Sequence, residues 1–595
     1  MLQSDALKIL LILCIVVPIV SSCTHQTNKK IAPSPNKHAE ETQQVILPGN
    51  AYFHYMESQL QKNSNNYNDY ITHLEKATQQ DNAAYLKKEL ANAYLKAKQY
   101  EKALNLLENV SSQKPDSFDT WLLIGGIYQA MDQMEKAIEA YEKALSIKSD
   151  KDNIYLLIAE LYQKDNKWDK AKDIYYRLLE LKPKSHVAYF FLGQIEKKEG
   201  NIDKAMQHYK QVVEISPDTL QAWFEIARLY KDQKKKKKVI KTYQTILKKD
   251  ANNIQAMIEL GAFYFTCGNQ KKARSTFLGM VNILKKYPHF IKKIAAHFFD
   301  QEQNTIAIFA LKALQDKLSE SSGLHYYLGI HYEEENQDDA ALKSYQHVLN
   351  PSEYYINAVL RMAYLHQKKG QFEDAIHLLE GLLIELPDDI ELYLFLGSIY
   401  EEALQFDKAE QVFKEGLILD ESNYKLLFRL GVVYDKWGKK EASMNQMKRV
   451  IELHPNNANA LNYLGYTYAD RGIHLDEAEI LIRKALKHKP NDGYIIDSLG
   501  WVYFKRGMYD EAANYLKKAL SLVPDDPIIL EHVGDVFVKL NQLETAISYY
   551  QKALEFQKKT ESRQTLKKKI QDIHTTRQTI NGSNIQLNEI NTHSN

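Results

Sequence analysis

The sequence predicts an all-α chain, a solenoid of about 14 stacked helix-turn-helix repeats. Three observations predict it. A small residue returns every 34 residues at Ala91, Gly125, Ala159, Gly193, Ala227, Gly261, Ala295, Gly329, Ala363, Gly397, Gly431 and Gly465; Gly500 and Gly534 follow after a one-residue slip. A second small position follows each of these, from Ala103, Ala137 and Ala171 to Ala478, Ala512 and Ala546, with Val239 and Ser443 as its departures. Composition agrees, since 23 Gly and 14 Pro in 595 residues leave few breaks, and 39 Tyr can fill a recurring core position. A constant period of this length is the signature of a repeat array, not of several globular domains.

The pattern is clearest between Leu461 and Pro524. LNYLGYTYADRGIHLDEAEILIRKALKHKP is followed by IIDSLGWVYFKRGMYDEAANYLKKALSLVP. Leu464-Gly465 matches Leu499-Gly500, Tyr468 matches Tyr503, Ala478 and Ala485 match Ala512 and Ala519, and Pro490 matches Pro524. The extra residue of the first copy falls in the turn from Arg471 to Leu475. On each helix these positions share one face. Small residues let the paired helices approach, large ones fill the space beside them, and proline cannot continue the second helix. The order resembles that of the tetratricopeptide repeat, which implies a right-handed superhelix.

The chain begins with a segment of another kind. Lys8 precedes an apolar run from Ile9 to Val20. Twelve residues are too few for a membrane-spanning helix, which needs roughly 20, and suit a signal peptide over 1–22. Val20-Ser21-Ser22-Cys23 resembles the lipobox of bacterial lipoproteins, which implies cleavage before Cys23 and its acylation. Thr24, where Asp would imply inner-membrane retention, implies the outer membrane. Residues 23–50 are polar, carry Pro33, Pro35 and Pro48, and read as a flexible tether. Residues 51–83 match the period poorly and read as a degenerate repeat or an N-terminal cap. The array runs over 84–558, a charged helix-forming segment over 559–578 is its expected C-terminal cap, and 579–595 reads as a disordered tail.

Several function classes are disfavoured. Lys and Arg number 77 against 76 Asp and Glu, a net charge of +1 without the basic excess of a nucleic-acid protein. With Cys14 in the signal and Cys23 acylated, Cys267 stands alone in a turn, which supports neither a disulfide nor a metal site. No catalytic or phosphate-loop motif is present, so neither enzyme activity, cofactor nor small-molecule substrate is expected. Asp338-Asp339, Asp388-Asp389 and Asp525-Asp526 read as helix caps in turns, and Lys234–Lys238 as a solvated loop.

Binding is therefore expected on the faces of the first helices, which in tetratricopeptide arrays line a concave groove. Arg228 and Lys231, with Lys197 and Lys198, form its basic stretch; Glu333 and Glu401, with Glu334 and Glu402, its acidic one; Tyr466, Trp501 and Phe504 its aromatic one. Trp501 and Tyr466 follow the small residue directly and are expected side by side, exposed as anchors for a protein partner. The family's clamp for a carboxyl terminus is incomplete, because Lys88 and Asn92 are followed by Leu123 and Leu157 where polar members belong.

LGYTYADRG, DEAEILIRKAL and DSLGWVYFKRG resemble the repeats of large outer-membrane tetratricopeptide lipoproteins of Gram-negative bacteria. At least one of these is an adaptor for a periplasmic carboxyl-terminal processing protease. The resemblance implies a lipid-anchored, periplasm-facing scaffold that recruits a protease or cell-wall hydrolase. The alternative is an assembly scaffold for a secretion, pilus or polysaccharide-export machine.

Overall fold

A computed structural model describes residues 50–63 and 66–575. The expected signal peptide, Cys23, nearly all of the tether, and the tail lie outside the described residues. The chain divides into two compact units, Met1–Ala222 and Trp223–Asn595. Among the described residues it is all helical: 31 helices from Ala51–Asn63 to Leu543–Phe556, then helical residues 560–575. No helix among them is long and apolar enough to cross a membrane.

The helices come in antiparallel pairs, and the small positions explain how the pairs close. Ala103, Ala137, Ala171, Ala205, Ala273, Ala307, Ala341, Ala375, Ala409, Ala478, Ala512 and Ala546 are all fully buried, as are Val239 and Ser443. Opposite each leading small residue stands a large side chain of the second helix. A Cβ on Gly193 would lie 2.7 Å from the ring of Tyr209, and one on Gly431 2.7 Å from Cε of Met447. Tyr175, Tyr209, Tyr243, Tyr345 and Tyr550, which face this position, are among the largest fully buried side chains. The tyrosine of this recurring position is therefore core, as expected, whereas others such as Tyr85, Tyr176, Tyr364 and Tyr494 are exposed.

The turn inside each pair repeats as well. One residue takes a left-handed backbone every 34 residues: Lys98, Asp132, Asn166, Gly200, Lys234, Gly268, Glu302, Asn336, Gly370, Leu404, Gly438 and Gly472, then Gly507 and Asn541. The longer turn after Arg471 absorbs its extra residue with a second left-handed position at His474. Lys234 sits in this turn, while Lys236–Lys249 is already the second helix of its pair.

Departures fall where the period was weak. The pair around Ala295 has a first helix of 10 residues, Phe290–Phe299, and the preceding second helix breaks into Gln270–Leu278 and Val281–Lys286. Ala51–Asn63 and Tyr67–Gln80 form a further pair, with Ser58 and Tyr70 where later pairs carry alanines. At the other end the helical residues 560–575 bury Leu566 and Ile573, and Lys569 reaches Glu531 and Asp535 at 2.8 and 2.6 Å. Asp389 and Asp526 cap helices as expected. Asp338 and Asp339 do not lie in a turn: they open the helix Asp338–Tyr345 and pair with Lys368 and Lys369.

Candidate functional site

The first-helix face of residues 390–460 carries a recess with apolar side chains in its lining. Leu394 and Ser398 come from Ile390–Glu402, Tyr424, Lys425, Phe428 and Arg429 from Tyr424–Lys436, and Asn457 and Asn459 from the start of the next first helix. They enclose a cleft of about 330 Å³ whose floor is Leu394 and Phe428. Phe428 packs edge-on to Tyr463 with ring centroids 6.0 Å apart, which holds the floor rigid. Asn457 caps its helix by accepting from Ala460 N, so its side chain is fixed.

Charge at the rim is arranged by Glu401. This carboxylate is buried, and Arg429 and Lys436 each reach it at 2.8 Å. Arg429, which lines the cleft, is thereby fixed at the Glu401 carboxylate with its Nε buried, and Lys425, paired with Glu391 at 2.7 Å, lines the cleft as well. A floor of hydrocarbon with a rim of cations and amides suits an extended peptide segment with one apolar side chain and a carboxylate or carbonyls to satisfy. The sequence signal was available: Leu394, Phe428, Lys425, Asn459 and Ser398 occupy groove-lining positions of three consecutive repeats. Taken one at a time, rings and charges in the sequence do not reveal the combination.

The expected site residues fall into three groups. Arg228 and Lys231 are exposed, and Arg228 pairs with Glu225 at 2.6 Å on its own helix. Both lie near His297 and help hold its pKa below the usual histidine range, after burial as the main cause. Glu333 is half-buried, tied to Arg361 and to the Tyr345 hydroxyl at 2.7 Å. Glu401 is not presented for binding at all; it is the buried anchor of Arg429 and Lys436.

The aromatic group needs correction too. Trp501 is only 7% exposed. It stacks on Phe504 at 4.6 Å and on His532 at 4.0 Å, and Tyr466 stands 6.4 Å from the same histidine. Phe504 and Tyr466 are half-buried against this core. His532 in turn bonds Asp497 through Nδ1 at 2.9 Å, with both side chains buried. The reason is the packing partner: His532, on the first helix of the repeat after Trp501, lies flat against the Trp501 ring, whose other neighbour is Phe504 of its own helix, and the same histidine also stands beside Tyr466 from two repeats earlier. Lys88 and Asn92 do share a cleft, with Leu123, but Glu89 and Asp119 line it as well and Lys88 pairs with Asp119. A carboxylate would meet repulsion there. Among the described residues no group of three or more His, Cys, Asp or Glu could hold a metal ion.

Comparisons with known proteins agree with this repeat structure. The profile of the cytochrome c-type biogenesis protein H TPR domain matches residues 71–221, and tetratricopeptide-repeat profiles match 197–260, 366–427, 424–457, 447–479 and 498–560. The TPR repeat-containing protein PA4667 of Pseudomonas aeruginosa is 34% identical over 192 residues, 32% of each chain. Protein CTR9 homolog of Arabidopsis thaliana is 29% identical over 30% of this chain and 17% of its own length. Lipopolysaccharide assembly protein B of Escherichia coli is 22% identical over 34% of this chain and 54% of its own. The chain thus spans about a third or less of the first two relatives. Among solved structures, MamA matches 29% of the chain at 27% identity with a TM-score of 0.25. The Naa15/Naa10 complex bound to HypK-THB matches 87% at 12% identity with a TM-score of 0.34. The repeats are tetratricopeptide repeats, whose arrays serve protein–protein interaction.

Proposed function

From an array of tetratricopeptide repeats, we propose a non-catalytic adaptor that is anchored by lipid at Cys23, faces the periplasm from the outer membrane, and recruits a protease or cell-wall hydrolase. The cleft around Phe428 carries this reading. It offers a side-chain-sized apolar recess between two cations, repeated features of no reaction chemistry, and so holds a segment of a protein partner. The signal-like segment and the lipobox-like Val20-Ser21-Ser22-Cys23 support the membrane part of this reading.

The test combines anchor and cleft. Membrane fractions are challenged with the Cys23→Ser chain, which should be soluble and folded, and with the same chain carrying Phe428→Ala. The expected outcome is a captured periplasmic hydrolase that is lost with Phe428→Ala while the circular dichroism melt is kept. A Cys23→Ser chain still membrane-bound after signal cleavage would contradict the anchor. Capture indifferent to Phe428 would contradict the cleft. The likeness to a lipopolysaccharide assembly protein favours a second reading, a scaffold of an envelope assembly machine; capture of envelope-assembly components instead of a hydrolase would decide for it.

A further inference from the structure

One edge of the unit Trp223–Asn595, formed by the ends of second helices and the turns that follow, carries two patches of opposite character. The first lies at residues 248–293. Lys248 ends Lys236–Lys249, Lys285 and Lys286 end Val281–Lys286, and Lys292 and Lys293 open Phe290–Phe299 around the exposed ring of Tyr287. Residues 233–299 hold fifteen Lys and Arg but only Asp250 and Glu259 as acids. Asp250 is used by its own turn, accepting from Asn252 N and Asn253 Nδ2, and Glu259 faces the Tyr243 hydroxyl at 3.4 Å. From the following repeat, Asp316 pairs with Arg274 at 3.0 Å and Glu320 shares a cleft with Lys285, which leaves the lysines in excess.

The second patch lies on the same edge at residues 384–421. Residues 372–421 hold fourteen Asp and Glu against Lys408 and Lys414; Glu391, Glu401 and Glu410 are paired with Lys425, Arg429, Lys436 and Lys439 of the next repeat, so the patch rests on the acids at the edge. Glu385, Asp388 and Glu421 are exposed at the edge. Between them stand Ile384 and Ile418, 83% and 80% exposed, the most exposed of the large apolar side chains among the described residues. Two such isoleucines at one repeat position on neighbouring repeats form a ledge, and a soluble surface does not gain from leaving it in water.

The two patches are in register. Ile384 holds the repeat position of Lys248 four repeats earlier, and Glu421 that of Lys285. Leu349, 58% exposed, lies on the same edge between them. In a pairing of two copies about a twofold axis near Leu349, each basic patch has the partner's acidic patch as its counterpart, and the two contacts are equivalent. We propose that this edge pairs with the same edge of a second copy. Lysine stems and Tyr287 cover Ile384 and Ile418, and Lys285, Lys286, Lys292 and Lys293 face Glu385, Asp388 and Glu421. The near-zero net charge sets up no long-range repulsion against such pairing. This goes beyond the adaptor reading and does not depend on it.

Sedimentation of the full chain carrying Cys23→Ser tests it. A dimer is expected at 50 mM NaCl that dissociates at least tenfold more readily at 500 mM. Lys285→Glu/Lys286→Glu/Lys292→Glu/Lys293→Glu and Glu385→Lys/Asp388→Lys/Glu421→Lys should each be folded monomers, and an equimolar mixture should restore the dimer, because both contacts are then again between opposite charges. A wild-type monomer at low salt means another partner covers the ledge and overturns the proposal. So does a dimer that both variants retain, an open-ended oligomer in place of a dimer, or a mixture that stays monomeric.

Discussion

Gly500 and Leu516 touch across their helix pair so closely that a Cβ on the glycine would lie 2.7 Å from Cγ of the leucine and 3.3 Å from its backbone nitrogen. The backbone atom cannot move aside without separating the helices. Gly500→Ala should therefore destabilise the chain although alanine is the better helix former: overpacking costs roughly 1–3 kcal/mol against about 1 kcal/mol of propensity gained. Denaturant unfolding would check this, and an unchanged midpoint would show that the pair can open freely.

Ala512 lies on the other helix of the same pair and is fully buried. Ala512→Arg must bury a charge or push the helices apart, at a cost on the order of 3 kcal/mol or more. Because contacts in an array are between neighbours, the loss should appear mainly in the adjoining repeats. Hydrogen exchange is expected to rise over residues 458–556 and to stay at the wild-type level over 100–200.

Leu404 points the other way. It holds the left-handed turn position at φ 60° with its side chain 71% exposed, so it has backbone strain and little packing to lose. Left-handed backbone costs a branched residue about 1–2 kcal/mol, and glycine returns about 0.5–1 kcal/mol as unfolded-state entropy. Leu404→Gly should raise stability by about 0.5 kcal/mol, seen as a higher melting temperature of the C-terminal unit. A lower one would mean that Leu404 packs on something in solution.

How much of this was legible in the sequence follows from which contacts are periodic. The pairing of Gly193 with Tyr209, or Gly431 with Met447, recurs at fixed spacing, so the fold could be read from one copy and checked on the next. The turn position was partly legible, because glycine holds it at Gly200, Gly268, Gly370, Gly438, Gly472 and Gly507 while Lys98 or Leu404 gives no sign of it. Exposure between repeats was not. Trp501 and Glu401 sit at positions that face away from their own pair, and whether they are open depends on the next first helix. His532 closes over Trp501, and Arg429 with Lys436 closes over Glu401. Those partners lie 28 to 35 residues on, in positions with no fixed residue type.

The His532–Asp497 pair makes a prediction about pH. Burial opposes a charge on His532, but the adjoining Asp497 carboxylate outweighs it through charge and hydrogen bond, with Asp535 and Glu531 adding to the effect, and the histidine pKa is raised. The folded chain therefore keeps this proton to higher pH than the unfolded chain, whose histidine titrates near about 6.5. The pair's contribution is fully present below that value and is lost as pH rises through the folded pKa. His331 works in the opposite sense: burial lowers it to about 4, so its contribution is present above about 6.5 and fades as pH falls toward the lower value. The range above about pH 6.5 thus isolates His532 from His331. The unfolding free energy of the wild-type chain should fall as pH rises through that range relative to Asp497→Asn, whose histidine has lost the charge that holds its proton. Asp497→Ala, which also strips the hydrogen bond, should cost about 3 kcal/mol at the lower end and loosen the stacked Trp501, read as a red-shifted tryptophan emission. Parallel pH profiles for wild type and Asp497→Asn would mean that His532 is neutral in the fold and that the pair is an ordinary hydrogen bond.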